Sequence, residues 1–187
     1  MKLIFGLGNP GRSYAKNRHN IGYRVLDKLS ERLGFRFKRN LLCRARMARV
    51  KIADQDVLFV KPATYMNKSG ICARRVIKSF SVPLKDSLFV YDDIDLPKGA
   101  LRFRESGSSA GHRGIASVIN AFQTEQLNRL RLGIGRNGSQ DAADYVLSDF
   151  IKEEEENISE VIDKALAACL DWIKFGNVYV IKNCNKR

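Results

Sequence analysis

The sequence predicts an α/β fold, a single-domain sandwich in which a mixed central sheet is flanked by helices across residues 1–187. Three observations predict it. Short apolar runs of strand length alternate with segments of helical periodicity. A polar connection of hairpin length lies inside the series, so the sheet contains at least one antiparallel pair. No internal repeat or low-complexity linker divides the 187 residues, whose 44% hydrophobic share suits one core.

Leu3 to Leu7 is an apolar run closed by Gly and Pro, a first buried strand followed by a glycine-rich loop. Ile21, Val25, Leu26, Leu29 and Leu33 recur at helical spacing, and Gly34 is placed to end that helix. Arg44 to Ile52 and Val57 to Lys61 flank the polar stretch 53–56 and read as two antiparallel strands. A second helix is expected from Lys68 to Phe80, and Ser87 to Tyr91 gives a strand ending in Asp92-Asp93-Ile94-Asp95. After the turn at Leu96-Pro97-Lys98-Gly99, Leu101 and Phe103 alternate with Arg102 and Arg104 as an edge strand does. A helix through Ile115, Val118, Ile119 and Phe122, a central strand from Arg129 to Gly135 and a long helix from Ile158 to Ile173 complete the series. Glu153 to Glu156 at the start of that last helix suit its dipole. The Gly, Ser and Asn run from Arg136 to Ala142 is either a surface loop or a mobile lid.

The 33 Lys and Arg outnumber the 20 Asp and Glu, for a net charge of +13, and such a field attracts polyanions. Nucleic acid and an anionic membrane surface are the two candidate partners. The membrane is the weaker of the two, because the one long amphipathic helix begins with four glutamates. The N-terminus is too short in apolar residues for a signal segment, and no run of about 18 apolar residues occurs, so a cytoplasmic protein is expected. Cys43, Cys72, Cys169 and Cys184 are scattered and read as reduced thiols, mostly core filler.

Gly6-Leu7-Gly8-Asn9-Pro10-Gly11 satisfies the Gly-x-Gly-x-x-Gly pattern, but a dinucleotide site also needs a helix opening in the loop and an acidic residue ending the second strand. Pro10 and the polar stretch 12–18 delay the helix, and Asp27 falls inside it. The glycines instead let the backbone turn and aim Asn9 into a cleft, and no cofactor is expected. His19 precedes the first helix and is one of two histidines. A lone histidine is usually structural, yet at a strand-loop-helix junction it can face a cleft as a general base. Its orienting acid would be Asp92, at a strand's carboxyl end, with Asp93 and Asp95 as rivals; the alternative is that the acidic string merely solvates a turn. Asn67 stands near a helix start, where it either caps the helix or polarises a carbonyl.

Gly107-Ser108-Ser109-Ala110-Gly111 matches Gly-x-Ser-x-Gly, but only His112 follows it, without the downstream acid and histidine of that motif. Ser13-Tyr14-Ala15-Lys16 matches Ser-x-x-Lys without its companion motifs, so direct attack by water is the simpler scheme. With two histidines, no His-Glu-x-x-His helix and no cysteine cluster, no metal is expected. Lys98, Arg102, Arg104, Arg113, Arg129 and Arg131 fall on neighbouring strands and loops, as either a solvated surface or one phosphate-binding face.

Gly6-Leu7-Gly8-Asn9-Pro10-Gly11, Arg18-His19-Asn20, Thr64 to Gly70, Asp92 to Pro97, Gly111-His112-Arg113-Gly114 and Arg129 to Gly135 resemble in order and spacing the motifs of the bacterial-type peptidyl-tRNA hydrolase family. The resemblance implies a monomeric, metal-free enzyme of translation and ribosome rescue that cleaves the ester between a peptide and the ribose at the tRNA 3′ end. It implies that His19 is the general base, Asp92 its orienting partner and Asn67 a third catalytic group. Asn9, Tyr14, Tyr65, Asn67 and Arg113 would bind substrate, and Arg102, Arg104 and Arg131 would hold phosphates of the acceptor end. Asp144-Tyr145-Val146-Leu147 resembles part of the segment covering the cleft. Arg113 departs from the pattern, since the family commonly has asparagine there and arginine accepts no hydrogen bond. Serines and Ala110 also stand where the preceding loop is often richer in glycine. The competing reading is a non-catalytic RNA-binding module on the same fold.

Overall fold

The computed structural model describes residues 1–136 and 141–185 of the chain. Seven strands form one sheet: β1 (Lys2–Gly6), β2 (Lys38–Asn40), β3 (Ala45–Ile52), β4 (Gln55–Pro62), β5 (Ser87–Asp93), β6 (Leu101–Arg104) and β7 (Asn128–Gly133), in the order β2-β3-β4-β1-β5-β7-β6. The four inner strands β4, β1, β5 and β7 run parallel, and antiparallel β3 and β6 flank them, which makes the sheet mixed. Parallel strands need covering on both faces, and among the described residues six helices supply it: α1 (Ile21–Leu33), α2 (Ser69–Phe80), α3 (Arg113–Phe122), α4 (Ala142–Leu147), α5 (Lys152–Phe175) and α6 (Asn177–Cys184).

The apolar positions of these elements divide into two cores. Ile4, Phe59, Val90 and Leu130 face α1 and α5, whereas Phe5, Val60, Phe89 and Tyr91 face α2 and α3. Removing a fully buried ring such as Phe59 would cost about 3–5 kcal/mol. Close packing of α1 on the sheet depends on two glycines: a Cβ at Gly6 would collide with the Gly22 carbonyl, and one at Gly22 with that of Val90. The same contact brings the residues just before α1 onto the end of β5.

Several boundaries differ from the sequence expectations. The hairpin turn is two residues long, Ala53 and Asp54, both at positive φ, so β4 begins at Gln55 rather than Val57. Met66–Lys68 forms a 3₁₀ turn, and α2 begins at Ser69 with Lys68 at its N-cap; Asn67 is therefore not the cap. The strand β2 and helix α6 carry no periodic signal. In β2 three residues are too few, and in α6 only Val180 is buried. Of the run considered as a lid, residues 137–140 lie outside the described residues. Among the described residues no helix is long and apolar enough to cross a membrane, and all four cysteines are free thiols.

Candidate active site

The carboxyl ends of β1, β4 and β5 open into a cavity of about 710 Å³. Parallel strands point their carboxyl ends at one side of the sheet, so the loops leaving them converge there. Asn9 follows β1, Tyr65 and Asn67 follow β4, Asp92 lies near the end of β5, and the loop before α3 brings Ser109 and His112. Residues of α4 close another wall.

Asp92 is buried and receives two imidazoles. His19 Nδ1 lies 2.9 Å from both carboxylate oxygens, and His112 Nε2 lies 3.1 Å from Oδ1. Burial pushes the Asp92 carboxyl up, but the charges and hydrogen bonds of the two histidines outweigh it and hold the group well below the usual carboxylate range. His112 Nδ1 accepts the Ile115 N–H at the start of α3, so the proton of its neutral ring sits on Nε2 and is donated to Asp92. Burial pushes His112 below the usual imidazole value, against the pull of Asp92. With Nδ1–H of His19 directed to Asp92, its Nε2 is left as the basic atom on the cavity wall. His112 had no assigned role from the sequence; its place in a small-residue loop before a helix was the available signal.

The rival carboxylates are engaged elsewhere. Asp93 pairs with Arg131 and accepts the Asp95 N–H, while Asp95 pairs with exposed Arg136. His19, Asp92 and His112 present ligand atoms within 4.8 Å of one another and are the described residues that could hold a metal ion. Their atoms already satisfy one another by hydrogen bonding.

Asn9 is locked in place. Its Oδ1 accepts the Met66 N–H at 2.8 Å, while its backbone N–H and C=O are both bonded to the Asn20 side chain. The remaining Nδ2 has no partner among the described residues, which leaves a fixed donor on the cavity wall. Asn67 lines the same cavity from an exposed position, as does Arg113 at the first residue of α3. Tyr14 and Tyr65 meet edge to face, ring centroids 6.4 Å apart, and form one wall. Ser109 also lines the cavity; its carbonyl accepts the His112 N–H at 2.9 Å, and its hydroxyl has no hydrogen bond to either imidazole among the described residues.

Beside His19 a second ionic cluster fixes the wall. Arg18 is buried and reaches Glu154 at 2.6 Å, Ser148 Oγ at 2.7 Å and the Asp149 carbonyl, over the rings of Tyr145 and Phe150. Its backbone N–H donates to the Ser148 carbonyl at 3.0 Å, and Asn17 binds the Leu147 carbonyl. Glu154 also accepts the Ile151 N–H and pairs with Lys98. One of the four glutamates at the start of α5 is thus turned inward to join α4, α5 and the turn carrying His19.

The basic face expected from the sequence is divided. Register places Arg102 opposite Arg131 and Arg104 opposite Arg129. Arg129 is 2% exposed and donates to the carbonyls of Gly107 and Ser108, so it belongs to the fold rather than to a surface. The loop's carbonyls need donors, and Arg129 supplies them. Arg131 is tied to Asp93, whereas Arg102 is half-buried and Arg104 exposed.

The family model described as Peptidyl-tRNA hydrolase matches residues 3–187. The chain is 40% identical to a peptidyl-tRNA hydrolase of Aquifex aeolicus, over 100% of this chain and 97% of that one. It is 39% identical to one of Geobacillus kaustophilus and 37% identical to one of Listeria monocytogenes, each over 100% of both chains. A crystal structure of peptidyl-tRNA hydrolase from Acinetobacter baumannii superimposes with a TM-score of 0.92 at 30% identity, covering 99% of this chain and 94% of that one.

Proposed function

We propose the following mechanism for this chain, which belongs to the peptidyl-tRNA hydrolase family and is a hydrolase of the ester between peptide and tRNA. His19 Nε2 takes a proton from water as the oxygen attacks the ester carbonyl. The bond to the ribose oxygen then breaks, and His19 returns the proton to that oxygen. Asp92 holds the imidazole by its Nδ1–H and stabilises the imidazolium that forms. Support comes from one observation: His19, on the wall of the cavity, is bonded to Asp92 by one nitrogen while the other has no partner among the described residues.

Asn9 offers its fixed Nδ2, and Asn67 its carboxamide, to the carbonyl oxygen as charge develops there. Tyr14 and Tyr65 hold the peptide end, with Arg113 at the rim. Arg102, Arg104 and Arg131 take phosphates of the acceptor end, Arg104 as the most exposed of the three. The chain works as one domain over residues 1–187, as a monomer in the cytoplasm. The full-length likeness to hydrolases, together with a complete acid–imidazole pair, favours the enzyme over a non-catalytic RNA-binding module. Asp92→Asn tests the mechanism: kcat should fall on the order of 10⁴-fold, as when the orienting carboxylate of a serine-hydrolase triad is neutralised. Undiminished turnover would remove Asp92 from the reaction.

A further inference from the structure

The positive charge of this chain is concentrated. Of 33 Lys and Arg, 13 fall between Arg36 and Lys85, together with only two acidic residues, Asp54 and Asp56. That segment holds +11 of the net +13. It forms β2, β3, β4 and α2, at the opposite edge of the sheet from Arg102 and Arg104.

Within it Arg39 and Arg46 are direct cross-strand partners, and Lys61 continues the same row on β4. Like charges directly opposite on a sheet are destabilising. Lys61 is neutralised by Asp27 at 2.7 Å. Arg39, Arg46 and neighbouring Arg44 are exposed and have no carboxylate partner among the described residues. The paired arginines of β6 and β7 differ, since there Arg131 is offset by Asp93 and Arg129 by loop carbonyls. An uncompensated row suits an anion from outside.

This row lies at the cleft end of the sheet. The Arg44 carbonyl accepts the Ala63 N–H at 2.7 Å, one residue before the segment 64–68 that leads into the cavity. Strand β3 stands three strand spacings, about 14 Å, from β5 and Asp92. Leu41 and Leu42, 71% and 83% exposed, cap the same tip and offer apolar surface for riboses.

We propose that Arg39, Arg44 and Arg46 form a second phosphate-binding ledge, which grips the tRNA body of the substrate while its 3′ end occupies the cleft. The ledge rests on the reading of His19 and Asp92 as the reacting centre, and it acts on KM, leaving the chemical step untouched. The test is the triple variant Arg39→Gln/Arg44→Gln/Arg46→Gln, assayed on peptidyl-tRNA and on an N-acyl-aminoacyl ester of adenosine that has no tRNA body. On peptidyl-tRNA, kcat/KM should fall by about tenfold or more through KM, and its log–log salt dependence should become shallower by about 0.7–0.9 per lost contact. The ratio of the two substrates' kcat/KM should fall by the same factor. An unchanged ratio overturns the ledge, whether from undisturbed kinetics or from equal losses on both substrates. It does so even if the variant loses affinity for unrelated RNA or anionic phospholipid vesicles. Asp92→Asn run alongside separates the two readings, because it should abolish cleavage of both substrates alike.

Discussion

Arg18 and His19 are adjacent in the chain, both are buried and each is bonded to a carboxylate, yet they serve opposite ends. Arg18 is held from several sides within the fold: Glu154, Ser148 and the Asp149 carbonyl take its Nη groups, and its guanidinium lies over the rings of Tyr145 and Phe150. Among the described residues the His19 ring is bonded on one side only and leaves its other nitrogen to the cavity. A closed ionic cluster fixes geometry, whereas one left open by a single atom can move a proton. One short turn, 18–20, thus both anchors the cavity wall and presents the base proposed for the reaction.

The largest effect should come from breaking the closed cluster. Arg18→Met leaves buried Glu154 with Lys98 as its cationic partner among the described residues, and losing one member of a buried pair costs about 3–5 kcal/mol. Thermal unfolding should move down on the order of 10 °C. The double variant Arg18→Met/Glu154→Met should recover much of that loss, because an apolar pair of similar volume is often neutral. If the single variant melts like the parent, the cluster does not hold α4 and α5 to the turn.

The open cluster should respond to pH. Folding lowers the His112 value, while the unfolded ring titrates near 6.5. Below about pH 6.5 the unfolded chain therefore binds a proton that the folded one resists, so stability falls with acidification by up to about 1.4 kcal/mol per pH unit. Above that value the contribution is fully present. His112→Gln should flatten this window when Tm is followed against pH, and an unaltered slope would show that His112 is not its source. The smallest change is expected at the sheet edge: Arg104→Gln should weaken tRNA binding and reduce the log–log salt slope by about 0.9, or not at all if no phosphate touches it.

The alternation of apolar runs and helical stripes made the sheet and the four longer helices legible in the sequence. The site was legible in part. Asp92 and Asp93 are consecutive in β5, so the strand's period of two sends them to opposite faces. Which face receives the turn 18–20 depends on α1 packing through Gly6 and Gly22, and no local pattern encodes that. His112 was obscured for a similar reason, since its link to Asp92 joins residues 20 apart across a strand end. Arg129 is grouped by sequence with the arginines of neighbouring strands and loops as a candidate phosphate contact, but the loop 106–111 folds back over it, which no local pattern signals. β2 and α6 bury too little to leave a trace.

The central claim is that His19 is the base and does little else. Single-turnover cleavage of peptidyl-tRNA by His19→Ala, with tRNA affinity measured on the same sample, addresses it most directly. The rate should drop by about 10²- to 10⁴-fold while affinity stays near that of the parent. A rate equal to the parent's would contradict the mechanism, and a loss of affinity that accounts for the whole effect would make His19 a binding residue instead.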